Sequence, residues 1–176
     1  MVVGHGFGGT LAIVGIKRQP GRARGMIVID AGLKSPVNIP DQQKKYFLEY
    51  VDQNFDAFTR QMFTQLGRDS AQGVEIHAKA SLVPQPVMKS YLRTLLDMDQ
   101  SMVLRDYPRP LMYLGSSRAW PDSLSWPEIA KQRGYTEAHG IRTGRIGNSG
   151  YLVMSDQPDS LAAVIAEFTR QAMTPQ

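Results

Sequence analysis

Short runs of apolar residues that alternate with helix-like segments constrain the fold of this chain more than any other feature. The run Met26–Ile29 contains only apolar residues, which is typical of a parallel strand buried on both faces. Val2 and Val3 have the character of the end of a similar strand, and residues 110–115 and 141–146 are further candidate strands. The order strand, helix, strand, helical insert, strand, helix, strand, helix predicts an α/β fold with a mostly parallel sheet, flanking helices and right-handed crossovers.

A helical segment interrupts this alternation in the middle of the chain. Apolar side chains recur every three or four positions from Asp41 to Gly67, which predicts one long helix that the glycine ends. Two further helical patterns follow it. We therefore expect a helical lid insertion over residues 41–99, and a core formed by residues 1–40 and 100–176.

The composition is that of a globular protein and leaves few kinds of site open. The chain has 176 residues, of which 42% are hydrophobic and 20% charged, enough for one domain with a buried core. It contains no cysteine, so disulfides, thiolate metal sites and a cysteine nucleophile are excluded. The histidines His5, His77 and His139 lack metal-ligand spacing, and we expect no metal and no cofactor.

The charge distribution argues against a nucleic-acid partner, and the length of the apolar runs argues against a membrane-spanning segment. The net charge is +4, and part of the positive charge is clustered at Lys17, Arg18, Arg22 and Arg24. This cluster is either a nucleic-acid patch or a solvated loop after a helix, and the absence of a nucleic-acid motif favours the loop.

No apolar run reaches the ~18–20 residues of a spanning helix, so we expect no membrane partner. The lack of a signal peptide favours a cytoplasmic location if Met1 is the native start, and otherwise the compartment is undetermined.

A glycine-rich turn follows the first predicted strand. Residues 4–9 are Gly-His-Gly-Phe-Gly-Gly, and the apolar segment 10–16 after them is compatible with a helix. A buried strand, a tight Gly-x-X-x-Gly turn and a helix form the context of a nucleophile elbow, whose strained middle residue points out at the top of the sheet. Small residues at Gly4 and Gly8 would let the strand and the helix pack closely, and the amide after the middle residue would help to bind an oxyanion.

From this turn onward, nearly the whole chain resembles the α/β-hydrolase family, especially its small capped members. The resemblance implies hydrolysis of an ester, amide or lactone bond in a small apolar substrate by a Ser-His-acid triad. It also implies that Ile146–Asp159 is the segment around the catalytic histidine, before a final helix that we predict over 155–173 with Asp156 as its N-cap. The other matching segments, in family order, are the elbow with its helix (2–12), the next strand (26–30), the lid (41–99) and the strand before the catalytic acid (110–115).

The chain departs from the family pattern at the triad positions. Gly6 stands at the nucleophile position and Tyr151 at the histidine position, where a phenol of ordinary pKa near 10 is a poor general base at pH 7. In the loop that carries the family's acid, Asp122 is the only carboxylate, although Arg118 matches better by spacing. The Phe7 N–H is the remaining expected oxyanion donor. The resemblance therefore implies a hydrolase that is catalytically impaired, or truncated, as written.

Several alternatives remain open at this stage. His5 could act as a base or be a structural residue beside the turn, and His139 could replace the lost histidine. Asp30 could serve as an alternative acid or only as a hydrogen-bonding group at a strand end. The protein could also be a non-catalytic binding protein for a small apolar ligand or a partner chain. The first strand corresponds to the family's fifth, so its open edge predicts self-association or pairing with another chain.

Overall fold

The centre of the fold is a four-stranded parallel sheet, as shown by a computed structural model that describes residues 1–173. The strands lie side by side in sequence order, and every neighbouring pair is parallel, which confirms the predicted mostly parallel α/β sheet. His5 lies beside Ile29, and Ile29 beside Leu114, so the carboxyl ends of the first three strands meet at one edge. The strands are β1 (Val2–His5), β2 (Met26–Ile29), β3 (Leu111–Ser116) and β4 (Arg142–Ile146).

Helices flank the sheet and fill the segment between β2 and β3. Two short 3-10 helices, Pro20–Arg22 and Ser101–Leu104, lie in the connections. Within the described residues, the α-helices are α1 (Phe7–Arg18), α2 (Asp41–Gln53), α3 (Phe55–Thr64), α4 (Ser70–Ala80), α5 (Gln85–Asp97), α6 (Trp126–Arg133), α7 (Val153–Asp156) and α8 (Pro158–Met173).

Strand β2 supplies the centre of the hydrophobic core on both faces of the sheet. Its four residues are all buried, as the continuous apolar run predicts for a parallel strand covered on both sides. Met26 and Val28 pack in one cluster with helix α1 and Tyr113, whereas Ile27 and Ile29 pack in another with α8. Alternation of side chains along the strand therefore builds two apolar layers with the sheet between them.

The chain divides into two compact units. The first, which we call the core unit, contains residues 1–34 and 99–173 and holds the sheet. The second, the helical unit, is Ser35–Met98 and contains α2 to α5. It has its own apolar centre, in which Val51, Met88 and Leu92 are buried against neighbouring aromatic side chains.

Two predicted helix boundaries were wrong. The long helix expected from Asp41 to Gly67 is two helices separated at Asn54, whose side-chain amide and backbone N–H both donate to the Tyr50 carbonyl. The backbone of Asn54, with φ −125° and ψ 32°, leaves the helical conformation there, so α2 ends and α3 begins anew at Phe55. The final helix begins at Pro158 rather than at Ser155, since proline suits the first helical turn. Asp156 is the last residue of α7 and lies two positions before Pro158, so it is not at the N-cap position of α8, and its carboxylate accepts a hydrogen bond from the Gly150 N–H at 2.7 Å.

Candidate functional site

The glycine-rich segment forms a sharp turn at the carboxyl end of β1. Gly6 has φ 53° and ψ −130°, a conformation that residues with side chains rarely adopt. Its N–H donates to the Ile29 carbonyl at 2.8 Å, and its own carbonyl accepts from the Gly9 N–H at 3.0 Å. The turn therefore connects β1 directly to the first residue of α1, Phe7, whose backbone amide follows Gly6 at this edge of the sheet.

Close packing of β1 and α1 depends on Gly4 and Gly9. A Cβ on Gly4 would lie 2.6 Å from the Gly9 Cα, and a Cβ on Gly9 would lie 2.8 Å from the Ala31 Cβ. Gly8 was expected to share this role, and that expectation was wrong. It is exposed, and a Cβ there would meet no atom within 4 Å, because the first turn of α1 directs position 8 to solvent and position 9 to the strands.

Tyr151 fills the space next to Gly6. A Cβ built on Gly6 would overlap the Tyr151 hydroxyl oxygen, so the two residues are brought together although 145 positions separate them. His5 stacks on the same tyrosine with ring centroids 4.2 Å apart, and its Nε2 lies 2.8 Å from the Tyr151 carbonyl oxygen. Because a carbonyl only accepts, this hydrogen bond places a proton on Nε2 of His5.

Asp122 lies in the predicted loop after β3, and its side chain is 89% exposed. Within the described part of the chain, its carboxylate forms an ion pair with Arg145 and makes no other hydrogen bond or ion pair. Arg118, the better match by spacing, is also exposed, and so is His139. The structure thus brings Gly6 and Tyr151 together but directs Asp122 toward β4.

Asp30 is the buried carboxylate at this edge of the sheet. It follows β2, is only 5% exposed and has φ 50°. Its Oδ1 accepts from the buried Ser116 N–H at 2.7 Å, whereas its buried Oδ2 has no hydrogen-bond partner within residues 1–173. Burial raises the pKa of this carboxyl, and the Ser116 hydrogen bonds and the charges of Arg133 and His5 oppose the rise. The strand-end interpretation of Asp30 accounts for the Ser116 bond.

Comparison with solved structures identifies this architecture. The chain superposes on a hydrolase from Oleispira antarctica with a TM-score of 0.74 and 16% sequence identity, over 95% of this chain and 64% of that one. It superposes on a thermophilic esterase from Thermogutta terrifontis with a TM-score of 0.70 and 20% identity, over 99% of this chain and 66% of that one. It also superposes on a bromoperoxidase from Bacillus anthracis with a TM-score of 0.72 and 11% sequence identity, over 96% of this chain and 66% of that one.

This chain has the α/β-hydrolase fold. The sequence itself matches no family model and no curated protein, so the relationship is carried by the structure. The chain spans about two thirds of the length of these solved structures (64% to 66%) and represents the hydrolase fold in part.

Two loop serines, which the sequence did not single out as a pair, fix the carboxyl edge of this hydrolase fold. Ser117 and Ser149 exchange hydrogen bonds from each backbone N–H to the other's hydroxyl oxygen, both at 3.3 Å. Both hydroxyls also donate to the Ile146 carbonyl. These bonds join the loop after β3 to the loop after β4 and so help to hold Tyr151, two residues later, in position. Isolated loop serines carry no sequence signal for such a pairing.

The two tryptophans near the loop after β3 are partly buried and pack against the hydrophobic core. Trp126 packs against Tyr113 and Tyr135, and Trp120 packs against Tyr113 and Trp126, with ring centroids 5.2 to 6.4 Å apart. Residues 1–173 contain no group of three or more His, Asp or Glu side chains that could hold a metal ion. None of the helices described there combines the length and apolar character needed to cross a membrane.

Proposed function

We propose that this protein is a hydrolase-fold protein that has lost triad hydrolysis, and that the turn at Gly6 is a nucleophile elbow without its nucleophile. The conformation of Gly6, its position at the carboxyl end of a parallel strand and the helix that starts at Phe7 support this assignment. In the proposal, the Phe7 amide lies on the oxyanion side, and the helical unit Ser35–Met98 is the cap insertion.

One observation carries the proposal of inactivity. The Tyr151 hydroxyl occupies the position where a nucleophilic side chain at residue 6 would begin. A serine at position 6 and this tyrosine would compete for the same volume, so the two substitutions are mutually consistent. The exposed position of Asp122 and its ion pair with Arg145 further weaken its proposed role as the supporting acid.

A covalent probe of serine nucleophiles tests the proposal. We expect the protein, incubated with an alkyl fluorophosphonate, to keep its unmodified mass, because Gly6 offers no hydroxyl to phosphonylate. We also expect hydrolysis of 4-nitrophenyl acetate at the buffer rate. Intact-mass spectrometry followed by peptide mapping makes the first measurement. A stoichiometric adduct on any serine would overturn the proposal, since it would show an activated nucleophile elsewhere.

A second candidate function is pairing with another chain along β1. The N–H groups of Val2 and Gly6 donate to Gly25 and Ile29, toward β2, so the backbone groups of Val3 and His5 point to the opposite edge. Val3 is 44% exposed there. We infer that a second copy of this chain pairs at this edge, where a two-fold axis would join the two β1 strands antiparallel into one sheet.

Light scattering after size exclusion tests the pairing at β1. We expect a mass of twice 19.6 kDa for the wild type. Val3→Pro, which removes an edge N–H donor, is expected to give the monomer, whereas Val3→Thr keeps the donor and the dimer. A wild-type protein that stays monomeric as its concentration is raised would contradict self-association.

A further inference from the structure

A groove in the helical unit shares no residue with the site at Gly6. It has a volume of about 430 Å³ and lies between α3, the end of α4 and the start of α5. This volume is in the range of small-molecule sites, roughly 300–1,000 Å³. All of its lining residues lie between 55 and 88, so the groove belongs to the helical unit alone.

The groove has an apolar floor and an exposed apolar wall. Phe55, Phe63 and the buried Met88 line it, and all three take part in the apolar centre of the helical unit. Leu82 and Val83, in the connection between α4 and α5, also line it, and Leu82 is 83% exposed. An aliphatic chain lying in the groove would remove this wall from water, which stabilises binding in proportion to the apolar area covered.

Arg60 places a positive charge at the groove that is not part of an ion pair within the described residues. It lies on α3 and lines the groove, and within the described residues its guanidinium forms no hydrogen bond or ion pair. The other lysine and arginine side chains of the helical unit behave differently, because each forms an ion pair with an aspartate or a glutamate. These residues are Lys44, Lys45, Arg68, Lys79, Lys89 and Arg93.

Two further titratable side chains line the groove and limit which ligands can bind there. His77 also lines the groove, with Nε2 3.4 Å from the Ser81 hydroxyl. Asp56 lies one helical turn before Arg60 and lines the groove too, but no ion pair joins the two side chains in the described structure. One guanidinium fits one carboxylate in a bidentate arrangement. The Asp56 carboxylate repels anions, so a ligand with two anionic groups would be disfavoured more than a ligand with one.

We propose that this groove binds an aliphatic monocarboxylate, with its carboxylate on Arg60 and its alkyl chain along Phe63, Leu82 and Val83. The ligand would thus be an amphipathic anion rather than a purely apolar molecule. This site is separate from the proposed loss of hydrolysis, because none of its residues belongs to the core unit.

Isothermal titration calorimetry with decanoate, 1-decanol and decylamine tests the proposal, with each probe kept below its aggregation limit. We expect the full chain to bind decanoate most tightly and decylamine least. Arg60→Gln is expected to weaken decanoate binding about tenfold or more without changing decanol binding, because only the charged contact is removed. The matched control Lys45→Gln removes a surface cation of the same unit outside the groove and is expected to leave both affinities unchanged.

Leu82→Asp provides an independent variant. Because the Leu82 side chain is exposed, we expect the variant to fold, and its circular dichroism spectrum checks that it does. We expect this variant to bind both decanoate and decanol more weakly, since the substitution places a charge on the apolar wall. The proposal is overturned if decanoate gives no saturable binding, if Arg60→Gln has no more effect than Lys45→Gln, or if decylamine binds as well as decanoate.

Discussion

Gly6→Ala is expected to lower the free energy of unfolding by about 2–6 kcal/mol, one of the two large stability effects that we predict for the core unit. Two costs combine. A side chain at φ 53° and ψ −130° is strained by about 1–3 kcal/mol. The new Cβ would also overlap the Tyr151 hydroxyl, and overpacking of this kind costs about 1–3 kcal/mol. Urea denaturation followed by circular dichroism measures the loss.

The matched control is Gly8→Ala, two residues later in the same turn of chain. Position 8 is exposed within α1 and has free space around its Cβ, so alanine there is expected to keep or slightly raise stability through its higher helix propensity. Equal effects of the two alanine substitutions would contradict the steric argument.

A double-mutant cycle separates strain from overlap. Tyr151→Ala removes the hydroxyl, so the Gly6→Ala/Tyr151→Ala protein should be more stable than the sum of the single changes predicts, by about 1–3 kcal/mol. The backbone strain at position 6 would remain. An additive cycle would mean that the tyrosine moves aside at no cost. It would also remove the observation that carries the proposed loss of hydrolysis.

The contrast between Gly6 and Gly8 shows what sequence can and cannot predict here. The apolar run of β2 predicted a strand buried on both faces, because that property depends only on residue type and local order. The glycine spacing likewise predicted a turn at the sheet edge. Which glycine meets the strand depends on the rotation of α1, however, and the sequence pattern placed that contact at Gly8 rather than at Gly9.

Long-range contacts explain the remaining differences. The family resemblance placed Tyr151 at the histidine position, but nothing in the local sequence indicated that its hydroxyl would fill the space at Gly6. Asp30 presented two interpretations for the same reason, since its partner Ser116 lies 86 positions away. The break at Asn54 is different, because asparagine's low helix propensity is a local signal that the helical periodicity outweighed.

Asp30 is the second position where we expect a large effect. Asp30→Ala should cost about 3 kcal/mol, because the buried Ser116 N–H loses its acceptor and alanine is disfavoured at φ 50°. Asp30→Asn is the conservative partner. Its side-chain oxygen still accepts from Ser116, and asparagine tolerates positive φ, so its stability at pH 7 is expected within about 1 kcal/mol of the wild type.

The pH dependence of this pair tests the cause of the raised pKa. Since burial raises the pKa of the Asp30 carboxyl, the folded protein binds this proton more tightly than the unfolded chain does. The wild type should therefore be most stable relative to Asp30→Asn below the ordinary aspartate pKa of about 3.9, and should lose that advantage as the pH rises through the raised native value. Urea denaturation of both proteins from acid to neutral pH measures the difference. If the wild type instead gains on the variant as the pH rises, the Ser116 bonds and the charges of Arg133 and His5 outweigh burial. The unpartnered Oδ2 would then carry a stabilised negative charge at this edge of the sheet.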